Sequence, residues 1–342
     1  MINHPISQFL RKIGRASWIV FACLVAGSAG GYVAGNHLGF SEAADRTRRL
    51  PSGAIPCKPG PWGELTYTSF TIAAPDDLIH VTCTGYISPS AAQILVGEKG
   101  WQQLTRVTHA YHMGCYAAFP AIRIASGFLS SATDPAHRVD IAHTELCTLH
   151  LDPSDHSPEQ LVVQSLFGDG HMRYSLSRVA DATCATMPDD GSSGLRILAL
   201  AEELVANSTD DMRWTITEWG FRMTLTQGVP QKIGAVLPAF LARLFTQADL
   251  DYQAEKDSAI FAIHPGGPKI IDQVSDALGL RPEQSAASRA VLRDYGNMSS
   301  ATLPHVWDEI LKSSTTQPGQ LVASVAFGPG LTISGGLFQI ED

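Results

Sequence analysis

From residue 76 onward the chain alternates short apolar, β-branched segments with segments whose apolar residues recur every three or four positions. The short segments predict buried strands, and the longer ones predict helices that cover them. Between residues 230 and 245 the apolar positions step by three and one, which places them on one face of a helix. This pattern predicts an α/β protein with a mixed, largely buried sheet. Predicted strands cover residues 79–85, 105–110, 139–147, 172–178, 195–200, 258–263, 320–327 and 331–338.

The composition and net charge indicate which classes of binding partner to expect. The 342 residues are 44% hydrophobic, enough for one large core or two ordinary ones, and the formal net charge is −9. No basic face is evident beyond residue 50, so a nucleic-acid partner is not expected, because phosphate binding needs clustered Lys and Arg. The cysteines form no C-x-x-C pair, which favours reduced thiols over a disulfide framework or a zinc finger. They are Cys23, Cys57, Cys83, Cys115, Cys147 and Cys184.

The N-terminal segment, residues 1–50, differs from the rest of the chain. No charged residue interrupts the sequence between Arg15 and Glu42. Residues 16–41 are long enough to cross a bilayer, which takes roughly 20 apolar residues, so they predict membrane association. A buried segment rich in Gly and Ala is the alternative. Residues 51–75 are rich in Pro, Gly and Ser and predict a linker.

Three helix starts are predicted from local signals. Ser88 is expected to cap a helix that has Pro89 at its first position. A second helix is expected to begin at Cys115, directly after Gly114. Ser299 and Ser300 are expected to cap the helix that follows them.

Cys115, His264 and Asn297 are the candidates for chemistry. A helix N-terminus favours a thiolate, so Cys115 is a candidate nucleophile, although a lone buried cysteine is often only a small apolar side chain. His264 directly follows a predicted strand, at the edge where sites collect in open α/β sheets, and is a candidate base. Asn297 follows Gly296 at a turn, and its amide is able to donate to an oxyanion. Together the three residue types suit acyl transfer.

A metal site is the competing interpretation of part of this region. His109, His112 and Cys115 form an H-x-x-H-x-x-C run whose side chains are types that bind zinc. No fourth ligand with suitable spacing stands nearby, so no metal site is predicted.

Several motifs together resemble one known family. The segments HMGCYAA, LFGDG, IHPGGPKIIDQV, YGNMSSATL and FGPGLT are similar, in this order, to motifs of type III polyketide synthases, the chalcone-synthase-like branch of the thiolase fold. The resemblance extends roughly from residue 76 to the C-terminus. It implies a thiolase-like α/β fold with five layers, αβαβα, and two related halves, residues 76–190 and 191–342. Residues 1–75 do not resemble the family, so the N-terminal half is expected to be incomplete.

The resemblance also implies roles and substrates. Cys115 would carry the acyl group, His264 would be its base and ion-pair partner, and Asn297 would join His264 in holding the thioester carbonyl of malonyl-CoA. The implied reaction joins an acyl-CoA starter to malonyl-CoA by decarboxylative Claisen condensation and cyclises the product to a pyrone or resorcinol. No metal or redox cofactor is implied. A cytoplasmic homodimer is expected, with anchoring at the inner membrane face as an alternative.

The resemblance further implies a set of cavity residues. Phe167 would be the gatekeeper between tunnel and cavity, and Met223 stands where plant members have a second gatekeeper phenylalanine. Methionine is flexible, which favours longer, fatty acyl starters. The other implied cavity residues are Cys83, Thr84, Leu149, Gly328, Pro329 and Gly330. The implied CoA-binding residues are Gly266, Gly267 and Lys269.

Two other functions are compatible with the same residues. A thiolase-fold remnant without catalytic activity would bind or scaffold an intact partner, and substitution of Cys115 would then have no effect. A cysteine hydrolase would use the same three residue types, but the glycine-rich segments around them are typical of condensing enzymes.

Overall fold

The computed structural model describes residues 73–178, 194–218 and 220–341. The expected membrane segment at 16–41, almost all of the expected linker and the expected incompleteness before residue 76 concern residues outside these ranges. The expected boundary between the halves, at residues 190 and 191, lies outside them too. Within the described ranges, no helix has the length and apolar character needed to cross a membrane.

Ten strands and eight helices are described in these ranges. The strands are β1 (Asp77–Thr82), β2 (Arg106–Tyr111), β3 (Val139–Glu145), β4 (Gly170–Leu176), β5 (Gly194–Leu204), β6 (Met212–Ile216), β7 (Phe221–Leu225), β8 (Ile260–Ile263), β9 (Leu321–Gly328) and β10 (Thr332–Glu341). The helices are α1 (Ala91–Glu98), α2 (Ala118–Ser131), α3 (Pro158–Leu166), α4 (Val229–Thr246), α5 (Tyr252–Glu255), α6 (Pro268–Leu278), α7 (Ala286–Tyr295) and α8 (Thr302–Lys312).

Two mixed sheets form the framework. The N-terminal sheet has the order β2-β1-β3-β4, and the C-terminal sheet has the order β5-β10-β9-β8. In the first, β1 and β3 are parallel and β3 and β4 are antiparallel. In the second, β8 and β9 are parallel and β9 and β10 are antiparallel. Each sheet thus has a parallel pair next to an antiparallel pair, but the remaining pairing differs, because β1 and β2 are parallel whereas β5 and β10 are antiparallel.

The helices lie in three layers around the two sheets. Helices α2 and α8 pack between the sheets, in a core that includes Ile79, Ile141, Trp307 and Phe338. Helix α1 covers the outer face of the N-terminal sheet, and α4 covers the outer face of the C-terminal sheet. The predicted apolar face of α4 is buried there, and each such Leu, Ile or Phe side chain stabilises the fold by roughly 1.5–3 kcal/mol. The five-layer αβαβα architecture is therefore confirmed.

The predicted helix starts are wrong in all three places. Ser90, not Ser88, caps α1, because its hydroxyl accepts from the Gln93 backbone N–H while the Gln93 side chain accepts from the Ser90 N–H. Helix α2 begins at Ala118, so Cys115 lies in the preceding turn.

The third correction concerns α8, which begins at Thr302 after a short 3₁₀ turn, Ser299–Ala301. Ser300 does not cap this helix, because its hydroxyl donates to the buried carboxylate of Glu145. Ser299 faces Cys115 instead. Both side chains thus point toward the N-terminal half.

Hairpin β6–β7 and helix α3 were not predicted. The hairpin is a two-stranded sheet apart from the two large ones. Its residues do not alternate cleanly between buried and exposed, since Arg213 and Trp214 are adjacent and both partly accessible. The period-two signal of a half-buried strand is therefore weak in this segment.

Candidate active site

Cys115 lies in the turn between β2 and α2. His112 and Gly114 in this turn have φ angles of 59° and 86°, a region that favours glycine. A Cβ atom on Gly114 would overlap the ring of Pro329, so the glycine is required for the close approach of two loops. The turn buries Cys115, which is only 5% exposed, and directs it toward the C-terminal half.

The sulfur of Cys115 has polar neighbours from the segment after α7. It lies 3.9 Å from the hydroxyl oxygen of Ser299, within hydrogen-bonding reach for sulfur. Burial raises the pKa of Cys115 to about 12, hydrogen bonding to Ser299 lowers it, the nearby Glu145 carboxylate raises it and hydrogen bonding to Asn297 lowers it. Burial dominates, so the resting form is the neutral thiol.

Asn297 is fixed by both its backbone and its side chain. Its N–H donates to the carbonyl oxygen of Leu166 at 2.8 Å, and its own carbonyl accepts from the Gly168 N–H at 3.0 Å. Its side-chain oxygen accepts from the Ser299 N–H at 3.0 Å and from the Thr302 hydroxyl at 3.4 Å. Because the oxygen is engaged by donors, the amide nitrogen is the group left to donate toward the sulfur.

His264 is a buried, neutral imidazole. It follows β8, as predicted, and its backbone N–H donates to the Val325 carbonyl at 2.8 Å. The residue is 2% exposed, and neither ring nitrogen has a hydrogen-bond partner in the described part of the chain. Burial lowers the pKa of His264 to about 3. Two unpartnered nitrogens in the interior are costly, which is typical of a group kept for function.

The segment after α3 connects the His264 and Asn297 regions. A Cβ atom on Gly267, three residues after His264, would come within 3.3 Å of the Leu166 side chain. The next residue, Phe167, forms an isolated parallel bridge with Asn297. Residues from both halves therefore meet around this segment.

A small cavity adjoins the sulfur. The space open to the centres of water molecules is about 20 Å³, where roughly 10–15 Å³ holds one water. Large side chains occupy much of the surroundings, so the cavity is nearly closed. Its lining is Cys83, Thr84, Gly114, Cys115, Cys147, Phe167, Trp214, Met223, Ser299 and Pro329.

A second buried thiol lies beside the first. The Gly114 N–H donates to the sulfur of Cys83 at 3.0 Å. Burial raises the pKa of Cys83 well above its ordinary value, and hydrogen bonding to Ser299 lowers it. The hydroxyl of Ser299 therefore hydrogen-bonds the sulfur atoms of both Cys83 and Cys115.

Glu145 is a buried carboxylate that the sequence did not single out. It accepts from the backbone N–H of Cys83 at 2.9 Å, from the Thr84 hydroxyl at 3.0 Å and from both the N–H and hydroxyl of Ser300. Burial raises the pKa of Glu145, and the hydrogen bond from the Ser300 hydroxyl lowers it. The available signal was an acidic residue inside the segment 139–147, which was predicted as a buried strand.

Two family profiles match the chain. The profile of the N-terminal domain of chalcone and stilbene synthases matches residues 71–175, and that of the C-terminal domain matches residues 196–340. The chain belongs to the chalcone and stilbene synthase family. The family comprises acyltransferases of the type III polyketide synthase class.

Among curated relatives, a 1,3,6,8-tetrahydroxynaphthalene synthase of Streptomyces coelicolor is 29% identical over 269 residues, which cover 78% of this chain and 67% of that protein. A 3,5-dihydroxyphenylacetyl-CoA synthase of Streptomyces toyocaensis is 30% identical over 269 residues, covering 77% of this chain and 66% of that protein. The chain thus spans about two thirds of the length of these relatives.

Solved structures of chalcone and stilbene synthase relatives have the same fold. The C-terminal type III polyketide synthase domain of a type I/III hybrid from Dictyostelium has a TM-score of 0.69 and 27% identity, covering 78% of this chain and 70% of that one. The tetrahydroxynaphthalene synthase of Streptomyces coelicolor has a TM-score of 0.69 and 28% identity, covering 78% and 72%.

The cavity residues implied by the family resemblance fall into two groups. Cys83, Thr84, Phe167, Met223 and Pro329 line the cavity. The remaining three positions are outside its lining: Leu149, on the short 3₁₀ turn after β3, Gly328, whose Cα packs against the Tyr116 ring, and Gly330, beside Thr332 and Leu204.

Two large or reactive side chains in the lining were missed by the sequence analysis. Trp214 is on the unpredicted hairpin, and Cys147 follows the buried strand β3. Of the residues expected to bind CoA, Gly266 and Gly267 form the turn after His264, and Lys269 is exposed in the first turn of α6.

The side chains of the H-x-x-H-x-x-C run do not meet at one metal-binding point. His109 hydrogen-bonds Ser90 at 2.8 Å, and His112 lies 3.0 Å from the carbonyl oxygen of Trp214. Across the described ranges, no group of three or more His, Cys, Asp or Glu residues is arranged to hold a metal ion.

Proposed function

We propose that this chain is a type III polyketide synthase in which Cys115 carries the acyl group. The observation that carries the proposal is the fixed orientation of the Asn297 amide, whose oxygen is held by Ser299 and Thr302 while its hydrogen bonding lowers the pKa of Cys115. This leaves the amide nitrogen as a donor for negative charge on sulfur or on a carbonyl oxygen. His264 supplies a neutral imidazole able to take a proton.

The first step loads the enzyme. The thiol proton of Cys115 passes to His264, sulfur attacks the carbonyl carbon of an acyl-CoA, and the CoA thiolate leaves and takes the proton. Because burial favours the neutral thiol, proton transfer must accompany substrate binding. The nearly closed cavity then strengthens the hydrogen bonds to the developing oxyanion, because it admits little water.

The second step extends the chain. The bond between the malonyl carboxylate and the methylene carbon breaks, carbon dioxide leaves, and the electron pair forms an enolate whose oxygen is stabilised by Asn297 and His264. The enolate carbon attacks the Cys115 thioester, and the thiolate leaves. The product is a β-ketoacyl-CoA ready for further extension and cyclisation to a pyrone or resorcinol.

The size of the cavity limits the length of the acyl starter that fits beside Cys115. The methionine at residue 223 favoured a fatty acyl starter, but the lining also contains Phe167 and Trp214 and leaves about 20 Å³ open. This supports a short acyl starter instead. The two relatives are named for hydroxylated aromatic products, which supports ring closure to an aromatic.

CoA would bind at the mouth of the site. Lys269 is exposed at the start of α6, where its positive charge and the helix dipole both favour phosphate. Thioester and thiol chemistry suits the reducing cytoplasm, and a homodimer is part of the proposal on family grounds.

The test incubates purified full-length protein with malonyl-CoA, alone and with acetyl-, hexanoyl- or palmitoyl-CoA, and detects products and released CoA by mass spectrometry. Products that require malonyl-CoA and disappear in Cys115→Ala are expected, with shorter starters preferred. Absence of products and of CoA release would reject the proposal and favour a scaffold. Release of CoA without any need for malonyl-CoA would indicate a hydrolase.

A further inference from the structure

One wall of the cavity comes from the β6–β7 hairpin. Trp214 and Met223 are paired across its two strands and both line the cavity. The hairpin belongs to the C-terminal half but is not part of its large sheet. Its position relative to Cys83 and Thr84 therefore depends on contacts between side chains and loops, because no continuous ladder of strand pairing fixes it.

The hairpin meets the N-terminal half on two sides. At helix α3 and the loop before it, Asp155, Glu159 and Gln160 bond residues of β7. On the side that faces the loop after β1, the polar contacts come from ring nitrogens. The Trp214 indole N–H donates to the carbonyl oxygen of Cys83 at 2.6 Å. The Nε2 atom of His112 lies 3.0 Å from the carbonyl oxygen of Trp214, to which only an N–H can donate. Both bonds end on backbone groups, so they fix the distance between the hairpin and the loop after β1.

His150 hydrogen-bonds both the loop after β1 and strand β7 of the hairpin. Its Nε2 atom lies 2.7 Å from the carbonyl oxygen of Thr84, in the loop after β1. Its Nδ1 atom accepts from the Phe221 N–H of β7 at 3.1 Å. A carbonyl accepts and an N–H donates, so the two bonds together require a neutral ring with its hydrogen on Nε2.

Ring packing locks His150 in this orientation. Its ring stacks on Phe221, with centroids 4.7 Å apart and planes at 15°, and meets Trp214 edge-on at 5.6 Å. A Cβ atom on Gly220 would come within 3.1 Å of Nδ1, so a larger residue there would press on the ring. Packing and hydrogen bonding therefore specify one geometry.

We propose that His150 is a positioning residue that sets the width of the cavity by holding the β6–β7 hairpin against the N-terminal half. It acts through Trp214 and Met223 and does not touch the reacting sulfur. Loss of the two His150 hydrogen bonds loosens the hairpin on the side of the loop after β1, while its bonds to Glu159 and Gln160 hold the other side, and the cavity beside Cys115 widens. The consequence for starter size rests on the proposed function, whereas the holding of the hairpin does not.

The test uses three substitutions in the full-length chain. His150→Ala removes both hydrogen bonds and the ring. His150→Phe keeps a stacking ring without hydrogen bonds, and His150→Gln keeps an N–H and a carbonyl oxygen for Thr84 and Phe221. His109→Ala is the control, since His109 is an exposed histidine that bonds Ser90 away from the hairpin.

The readout is alkylation of Cys115 by iodoacetamide and by bulky fluorescein maleimide, located by peptide mass spectrometry. We expect His150→Ala and His150→Phe to raise the ratio of bulky to small labelling about tenfold, as loss of roughly 1.4 kcal/mol would. His150→Gln should stay near the unmodified chain. Equal ratios in all variants would overturn the proposal, whatever the enzyme makes.

Hydrogen exchange separates positioning from general stability. In His150→Ala, faster amide exchange confined to residues 212–225 is expected. Faster exchange spread evenly over both large sheets would overturn the proposal, because His150 would then stabilise the whole fold. With active enzyme, the same variant should shift its preference from acetyl-CoA toward hexanoyl-CoA.

Discussion

The hydroxyl oxygen of Ser299 lies 3.9 Å from the sulfur of Cys115, and Ser299 holds a φ angle of 50° to reach it. A positive φ is uncommon for serine and persists only where the surroundings impose it. Here the side-chain oxygen of Asn297 accepts the Ser299 N–H and fixes the turn. In the resting protein the Cys115 thiol donates to the Ser299 oxygen, and the Ser299 hydroxyl becomes a donor once the sulfur is charged.

Ser299→Ala should make Cys115 less acidic. Without the hydroxyl, the pKa of the thiol rises further, and its reaction with iodoacetamide at pH 8 should slow about tenfold, since a hydrogen bond to a charged group contributes roughly 1.5–3 kcal/mol. Alkylation rates by mass spectrometry measure this. Ser131→Ala, at the exposed end of α2, is the control. Equal rates in the two variants would show that the hydroxyl has no influence on the sulfur.

The pH dependence of the same reaction tests the resting charge state. The pKa of Cys115 is raised to about 12 and that of His264 is lowered to about 3, both by burial. Both groups are therefore neutral in the resting protein between those values. The alkylation rate of Cys115 should climb steadily from pH 6 to pH 10, because only the thiolate reacts. A plateau near neutral pH would instead demonstrate a preformed thiolate–imidazolium pair.

Buried histidines should make the protein sensitive to acid. Burial lowers the pKa of His80 to about 3, of His171 to about 4 and of His264 to about 3. Unfolded histidines take up protons below roughly pH 6.5, so stability is present above that pH and is lost as pH falls toward 3. Urea unfolding at pH 7.5 and 5.5 should show the drop. His80→Phe should reduce the pH dependence by up to one proton, or about 1.4 kcal/mol per pH unit.

Gly114→Ala should destabilise the protein, whereas Gly127→Ala should not. The first substitution places a Cβ atom against Pro329 at a φ of 86°, and the strain alone costs about 1–2 kcal/mol. The second is in α2 with nothing within 4 Å, and alanine favours a helix by up to about 1 kcal/mol. Thermal unfolding compares them. If both variants melted at the same temperature, the close approach of the two loops would not matter.

Strong periodic patterns predicted the layers well. The strands at 139–147 and 258–263 and the helix at 230–245 are found within a few residues of the predicted bounds. These segments are buried on both faces or on one continuous stripe, so the hydrophobic effect alone specifies them. Helix starts failed where tertiary bonds outcompeted local capping, as at Ser300, which bonds Glu145.

The site was predictable only in part for a related reason. Cys115, His264 and Asn297 follow strand ends and glycine turns, which are visible in a sequence. Glu145 and Trp214 matter through contacts with residues more than sixty positions away. No local pattern records such contacts.

The paired bonds between Leu166, Gly168 and Asn297 join backbone from one half to backbone from the other, directly at the site. The sulfur of Cys115 belongs to one half, and the Ser299 and Asn297 groups that face it belong to the other. The backbone contact between the two halves therefore lies at the site to which both halves contribute residues. Recombining or swapping either half would therefore require this small junction to be exchanged as a unit.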